Sequence, residues 1–251
     1  LSNTTGVAHI DVKAAEERGI EICALHDEPE FLDRITPTAE HTIGLMLSAW
    51  RRIPSSNNFV LSGHWDRRPY GAPRMFSRMR LGIVGHGRLG RKVRTIAEAM
   101  GMSVDFFDPL VSGGQDCLFD LARKSDILSI HAVANEATKG LVSREVLSQL
   151  PPKSMVINTA RGEILDLDAL LDLMEIGHIY AAGLDVLDGE FNPGFEGELQ
   201  NSRVINYAKK NDRLILTPHI GGSTYDAWFE TERFVIEKVL AKIRRDNEKR
   251  P

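Results

Sequence analysis

The sequence predicts an α/β fold built on a doubly wound, six-stranded parallel sheet, and two observations support this prediction. From Met79 onward, six short apolar runs alternate with amphipathic segments, a pattern typical of consecutive βαβ units. A glycine or a polar residue also follows each of the six runs, at the sheet edge where folds of this class bind ligands.

The predicted strands and helices alternate regularly along the chain. Strands are expected at 80–85, 103–108, 126–131, 154–159, 181–186 and 213–218, and helices between them at 91–101, 116–124, 144–150 and 167–177. In the first of these helices Val93, Ile96, Ala97 and Met100 share one face, and Gly101 ends the helix.

Two amphipathic segments flank this block. Before it, residues 36–53 are expected to form a helix, since Thr36 can cap it and Pro37 suits its first position. After it, apolar residues from Val235 to Ile243 predict a last helix, and 244–251 is interpreted as a solvated end rather than a binding tail. The sheet domain is therefore expected to span 36–222, with 1–35 and 223–251 belonging to a second, smaller domain.

Composition excludes several classes of protein. A formal net charge of -4 and a pI of about 6.1 give no electrostatic case for nucleic acid or an anionic membrane as the main partner. Cys23 and Cys117 form neither a disulfide framework nor a metal pattern, so no metal is expected and a reducing cytoplasm fits best. No apolar run is long enough to span a membrane, and the first residues do not resemble a signal peptide.

A glycine motif follows the first predicted strand. Gly85, Gly87 and Gly90 match G-x-G-x-x-G between a strand and a helix, which places a helix N-terminus against a pyrophosphate. Asp108 ends the next strand, where a carboxylate can accept from both ribose hydroxyls of an adenosine and repels a 2′-phosphate. The motif predicts a dinucleotide cofactor, NAD rather than NADP. The alternative is a tight turn without a ligand.

The remaining strand ends carry residues that suit acid–base chemistry. His131, Arg161, Asp185 and His219 follow the third to sixth strands. A guanidinium at the mouth of a buried strand needs an anionic partner. A histidine can donate a proton to a carbonyl, and a neighbouring carboxylate would hold its tautomer. The candidates for that carboxylate are Asp185, Asp188 and Glu190.

Longer segments then resemble a known family. "GRLGRKV", "NTARGEILD", "AAGLDVLDGE" and "TPHIGGST", together with the upstream "HIDVKAAEERGI", resemble the signature segments of D-isomer-specific 2-hydroxyacid dehydrogenases, in the same order. By that resemblance Arg161 binds the carboxylate and carbonyl of a 2-keto acid. His219 is the general acid/base, Glu190 is its acidic partner, and Asp185 holds the nicotinamide carboxamide.

The resemblance also implies a set of cofactor contacts. Arg88 and Leu89 would face the pyrophosphate, Thr159 and Ala160 the nicotinamide, and Thr138 the adenosine. His131, Ala132 and Val133 occupy the place of the family's His-x-Pro. The full expected set is Gly85, Gly87, Arg88, Leu89, Gly90, Asp108, His131, Ala132, Val133, Thr138, Thr159, Ala160, Arg161, Asp185, His219 and Gly221.

"HAV" departs from the family's His-x-Pro, and three further features also depart from the family pattern. Its Glu-Pro is "EFNP" here, the loop from Glu190 to His219 is longer than usual, and the strand–helix repeats expected before "HIDV" are missing. The missing repeats would amount to on the order of 60 residues, if two βαβ-sized units are absent. The flanks would then form only part of a flavodoxin-like substrate domain.

The expected function is hydride transfer between NAD and a D-2-hydroxy or 2-keto acid. The sequence does not specify which acid. A homodimer is expected, because the helix around Met46 and Trp50 and the stretch 57–76 carry more apolar and aromatic residues than one core needs. Two alternatives remain open: a dinucleotide-sensing binding protein of the corepressor type on the same fold, and an inactive fragment.

Overall fold

The chain folds into two compact units. The structure, a computed structural model, describes residues 1–7 and 9–248, with side chains described as far as Arg245. One unit comprises residues 38–221, and the other comprises residues 1–37 together with the segment from 222 onward. Residues 249–251 of the predicted solvated end lie outside the described residues.

The described residues of the two units form six strands and eleven α-helices. The strands are β1 Arg80–Val84, β2 Ser103–Phe107, β3 Ile127–Ile130, β4 Ser154–Asn158, β5 Ile179–Leu184 and β6 Leu214–Leu216. The helices are α1 Val12–Glu17, α2 Pro29–Asp33, α3 Pro37–Arg51, α4 Ile53–Leu61, α5 Arg88–Ala99, α6 Leu118–Arg123, α7 Arg144–Gln149, α8 Leu167–Glu175, α9 Phe195–Leu199, α10 Arg203–Ala208 and α11 Tyr225–Glu248.

The six strands form one parallel sheet in the order β2-β1-β3-β4-β5-β6. This confirms the predicted fold class. The strand order reverses at β1, so the switch point lies between β1 and β3, where a doubly wound sheet opens a crevice for its ligand.

Apolar side chains cover both faces of the sheet, as expected for strands that read as continuous hydrophobic runs. On one face Leu128 and Val156 pack with the cluster that contains Leu121, Leu147 and Leu170 of α6, α7 and α8. On the other face, the strand residues next to Leu128 and Val156 along the chain pack with residues of α3 and α5. These include Met46, Ala49, Val93 and Ala97. The sheet is thus the middle layer of three.

Most predicted elements are present with ends shifted by one to three residues, and three differences matter for the site and its flanks. The fifth strand covers Ile179–Leu184 rather than 181–186, so Asp185 lies just beyond its end. The predicted helix 36–53 stops at Arg51, because Arg52 adopts a left-handed backbone conformation with φ 52°, and a second helix, α4, then begins with Pro54 in its first turn. The last helix starts well before Val235, at Tyr225.

The smaller unit contains α1, α2 and α11 among its described residues, and these residues include no strand. Its core is small: Leu25, Phe31, Leu32 and Val235 are buried together, and the ring of Phe31 stacks on Phe234 with centroids 3.9 Å apart. In the described part of the chain no helix is both long and apolar enough to cross a membrane.

Candidate functional site

The turn after β1 ties three strand ends together. Gly85 has φ +92°, and its N–H donates to the carbonyl of Phe107 at the end of β2, at 2.9 Å. A Cβ on Gly85 would lie 2.5 Å from the backbone nitrogen of Ala132, just beyond β3. Backbone conformation and close approach therefore both require glycine at position 85.

Gly87 is glycine for a different reason. Its φ of -72° suits any residue, and a Cβ added there would meet no protein atom within 4 Å. Gly87 precedes α5, whose first residues are Arg88, Leu89 and Gly90, so the open space lies at a helix N-terminus. A side chain would fill this space, which fits a pyrophosphate bound against the helix N-terminus.

Asp108, which follows β2, is attached to the same turn. Its Oδ2 accepts the N–H of His86 at 2.8 Å, and its Oδ1 accepts the N–H of Leu110 at 2.9 Å. Each carboxylate oxygen uses one of its two acceptor positions in this way. The carboxylate is thus held next to the glycine turn with acceptor capacity for ribose hydroxyls.

Two buried histidines line this region. The ring of His86 stacks on Phe106 with centroids 3.8 Å apart, and burial, reinforced by Arg94 and Arg91, lowers its pKa. Burial lowers the pKa of His131 to about 4, and its Nε2 lies 2.8 Å from Ser129 Oγ. Both rings are therefore neutral near pH 7, and neither is a proton donor at that pH.

The residues after His131 continue into an exposed loop. Val133 is 77% exposed, and its carbonyl accepts from Thr138 Oγ1 at 2.7 Å. The structure therefore brings the backbone of Ala132 against the glycine turn, whereas Val133 and Thr138 contact one another within their own loop.

The turn after β4 presents Arg161. Asn158 spans this turn, because its Oδ1 accepts from the N–H of Ala160 at 3.0 Å and its Nδ2 donates to the carbonyl of Arg161 at 2.8 Å. Thr159 Oγ1 lies 2.8 Å from Thr42 Oγ1 of α3, in a buried contact. The Nη1 of Arg161 donates to the carbonyl of Ala160 at 2.6 Å, and among the described residues no carboxylate forms an ion pair with this guanidinium. The positive charge of the Arg161 guanidinium is therefore available to an anionic ligand.

His219 and Glu190 form a direct pair. Nδ1 of His219 lies 2.8 Å from Oε1 of Glu190, and the side chains are 33% and 14% exposed. A carboxylate only accepts, so Nδ1 carries the proton and Nε2 is the nitrogen that can exchange one. Of the three acids that the sequence left open, Glu190 is the one in contact with this imidazole. The ring of Phe191 lies beside it, with centroids 5.6 Å apart.

Asp185 is buried and faces the segment that carries His219. Its Oδ1 accepts from Thr217 Oγ1 at 2.5 Å and from the N–H of Ile220 at 3.0 Å, and its Oδ2 accepts from the N–H of Gly221 at 2.8 Å. Nε2 of His41, on α3, lies 3.2 Å from the same Oδ1. Asp185 therefore organises the loop 217–221, and its expected contact with a nicotinamide carboxamide stays a prediction.

The family follows from a match over most of the larger unit. Residues 43–221 match the family model described as "D-isomer specific 2-hydroxyacid dehydrogenase, NAD binding domain". The chain belongs to this dehydrogenase family. Its cofactor is NAD, in agreement with the glycine turn and with Asp108.

The matches to similar proteins cover most of this chain but a smaller share of each relative's own length. The chain is 33% identical over 243 residues to D-3-phosphoglycerate dehydrogenase of Bacillus subtilis. This match covers 94% of this chain and 43% of that protein. The enzyme of the same name from Escherichia coli K12 is 32% identical, over 88% of this chain and 53% of its own length. The chain thus spans about half the length of these curated relatives.

A solved structure also matches a larger share of this chain than of its own length. D-lactate dehydrogenase from Aquifex aeolicus, complexed with NAD and lactic acid, superimposes with a TM-score of 0.82 at 25% identity. The match covers 98% of this chain and 76% of that one.

Sequence reasoning missed several residues of the candidate site. His41 and Thr42 lie on α3, which was interpreted only as a core and dimer helix, yet both contact strand-end residues. A signal was present, because Thr38, His41 and Thr42 form a polar stripe at helical spacing. Asn158 ends β4, and its position alone gave no indication of how it spans the Arg161 turn.

The open space at Gly87 yields a prediction. Gly87→Val should weaken NADH binding about tenfold or more, because the side chain enters the pyrophosphate position, while the thermal midpoint stays unchanged. Fluorescence titration with NADH measures the affinity. Gly197→Val is the matched control, because a Cβ there also meets no protein atom within 4 Å. Equal NADH affinity in the Gly87 variant and the control would contradict this interpretation of the turn.

Proposed function

We propose that the protein is a cytoplasmic NAD-dependent oxidoreductase that acts on a D-2-hydroxy acid and the corresponding 2-keto acid. The observation that carries the proposal is the His219–Glu190 pair, with 2.8 Å between Nδ1 and Oε1. His219 follows β6 and Glu190 follows β5, and the Arg161 turn and the glycine turn follow β4 and β1 of the same parallel sheet. A proton donor, an anion binder and a dinucleotide turn thus share one sheet edge.

His219 moves the proton. Because Glu190 holds the Nδ1 proton, Nε2 of the imidazolium donates to the carbonyl oxygen when a keto acid is reduced. In the reverse direction the neutral Nε2 takes the proton of the hydroxyl. Glu190 stabilises the positive charge of the imidazolium and fixes the orientation of its ring.

Arg161 binds and orients the substrate. Its guanidinium, which lacks a carboxylate partner among the described residues, offers a planar fork that matches a carboxylate bidentately. The Asn158 contacts fix the backbone on both sides of Arg161. A 2-keto acid held by its carboxylate would present its carbonyl carbon in one orientation, which supplies the positioning part of catalysis.

NAD, when bound, supplies the hydride acceptor of the reaction, and NADH the hydride donor. The residues that would hold it are Gly85, Gly87, Arg88, Leu89 and Gly90 at the pyrophosphate and Asp108 at the ribose. Thr159 and Ala160 would lie on the nicotinamide side. The buried contact of Thr159 with Thr42 keeps that part of the turn in place.

The substrate class is a small 2-hydroxy acid. The relatives reported above are named for 3-phosphoglycerate and for lactate, both of which carry a carboxylate next to the reacting carbon. We assign the smaller unit to part of the substrate domain. A corepressor-type sensor on this fold would bind NADH without consuming it, so turnover with a 2-keto acid separates the two functions.

We also propose a homodimer. None of the residues of α4 is buried, and large apolar side chains in and after it are exposed, with Leu61 at 76% and Trp65 at 91%. Several exposed large apolar side chains close together in sequence are typical of a subunit interface.

The role of Arg161 predicts a specific kinetic defect. Arg161→Ala should lower turnover of 2-keto acids by on the order of a thousandfold, because the carboxylate loses its bidentate partner, while NADH affinity stays unchanged. Steady-state consumption of NADH by the full-length protein over a panel of 2-keto acids measures it. Arg161→Lys keeps the charge without the fork and should recover only part of the rate. An unimpaired rate in Arg161→Ala would contradict the assignment.

Asp108 predicts cofactor preference. Asp108→Asn removes the charge that repels a 2′-phosphate, so the ratio of kcat/KM for NADH over NADPH should fall by about tenfold. Asp105→Asn, on the same strand, is the control, because Asp105 bonds Phe106 N–H and Gln115 rather than the glycine turn. A native preference for NADPH would refute this prediction.

The homodimer predicts the mass in solution. Light scattering at micromolar concentration should give twice the chain mass for the native protein, and Leu61→Glu with Trp65→Glu should give the monomer. Leu110→Glu is a control at a residue that is 93% exposed but lies in the loop after β2. A monomeric native protein would contradict the proposal.

A further inference from the structure

A carboxylate and a loop hold the backbone of His219. The segment from Thr217 to Gly221 wraps around Asp185, which receives the hydroxyl of Thr217 and the N–H groups of Ile220 and Gly221. The N–H of His219 itself donates to the backbone carbonyl of Asp185 at 2.8 Å. Every residue of the loop except Pro218 is thus bonded to Asp185.

This loop is strained at His219. The residue has φ +51°, in the left-handed region that a non-glycine residue rarely adopts. Such a conformation persists only where its surroundings determine it strongly. The bonds to Asp185 on either side of His219 meet that condition.

His41 supplies a further bond to Asp185, and it comes from a separate element. Its Nε2 lies 3.2 Å from Asp185 Oδ1 and 3.0 Å from Thr217 Oγ1. Thr217 gives its hydroxyl proton to Asp185 across 2.5 Å, so its oxygen is left as an acceptor. Nε2 of His41 must therefore carry a proton, which is shared between the two oxygens. His41 connects α3 to both the carboxylate and the loop.

Gly221 shows how closely the loop approaches Asp185. A Cβ at this position would lie 2.8 Å from Asp185 Oδ2 and 3.5 Å from Cδ2 of His41. The carboxylate is 2% exposed and bonded on both oxygens, so it has no space into which to withdraw. The packing around Asp185 therefore explains the glycine that the resemblance had assigned to the cofactor.

We infer that His41 is a positioning residue for proton transfer: through Asp185 and Thr217 it holds the loop that keeps His219 in its productive backbone conformation. The inference rests on the proposed function, in which Nε2 of His219 exchanges the proton. His41 acts through its contacts with Asp185 and Thr217 and not on the substrate directly. Its loss leaves Asp185 one donor short and frees the loop to leave the left-handed conformation.

The test compares two replacements of His41 in the full-length protein. His41→Phe keeps a planar ring and removes the donor, whereas His41→Gln places an amide N–H near the position of Nε2. His41→Phe should lower kcat for keto-acid reduction by about ten- to a hundredfold, with KM for NADH unchanged, because a small displacement of a proton donor costs this much. His41→Gln should recover most of the rate.

A second readout does not depend on turnover. Hydrogen exchange of the amides of Ile220 and Gly221, followed by mass spectrometry, should be faster in His41→Phe than in the native protein and in His41→Gln. The matched control is His178→Phe, because His178 directly precedes the opposite end of β5. The control should leave both kcat and the exchange of these amides unchanged.

Three outcomes would overturn the inference: a native kcat and native exchange in His41→Phe, equal losses in His41→Phe and His41→Gln, or the same loss in the His178 control. If His41→Phe does not fold, Thr217→Val compared with Thr217→Ser carries the same test, since only Ser keeps the hydroxyl. His219→Ala separates the two levels. Its full activity would refute the proposed function, whereas an inactive His219→Ala with a native His41→Phe would refute this inference alone.

Discussion

The carboxylate of Asp185 is the constraint on which the site depends. It is nearly inaccessible to water, and a buried charge of this kind is tolerated only when donors surround it. The donors are a hydroxyl, two backbone N–H groups and an imidazole, and all except the imidazole belong to the segment that carries His219. Satisfying one buried charge therefore fixes the backbone of His219, the residue proposed to move the proton.

The glycine turn obeys a comparable constraint at the switch point of the sheet. Backbone atoms after β1 and β3 approach so closely that Gly85 has no room for a side chain, and Asp108 bonds the N–H of the next residue. Gly87 differs because only open space surrounds it. Two glycines of one motif thus differ: the packing of strand ends requires Gly85, whereas Gly87 leaves open space at a helix N-terminus.

Much of this arrangement could be predicted from the sequence, because it depends on local patterns. Apolar runs located the six strands, and the residue after each run located the functional edge, since parallel strands all end on the same side. His41 could not be found in this way, because its partners Asp185 and Thr217 are adjacent to it only after α3 has packed on the sheet. The break in the helix at Arg52 was missed for a related reason. An arginine with a left-handed backbone conformation does not change the hydrophobic periodicity of the sequence.

The most direct measurement is a crystal structure of the full-length protein with NADH and oxamate, an unreactive analogue of a 2-keto acid. We expect the carbonyl oxygen of the analogue within hydrogen-bond distance of His219 Nε2 and its carboxylate on the guanidinium of Arg161. Glu190 should remain bonded to Nδ1, and Asp185 should still accept hydrogen bonds from Thr217, Ile220 and Gly221. An analogue bound away from both His219 and Arg161, or a loop 217–221 detached from Asp185, would contradict the roles proposed for these residues.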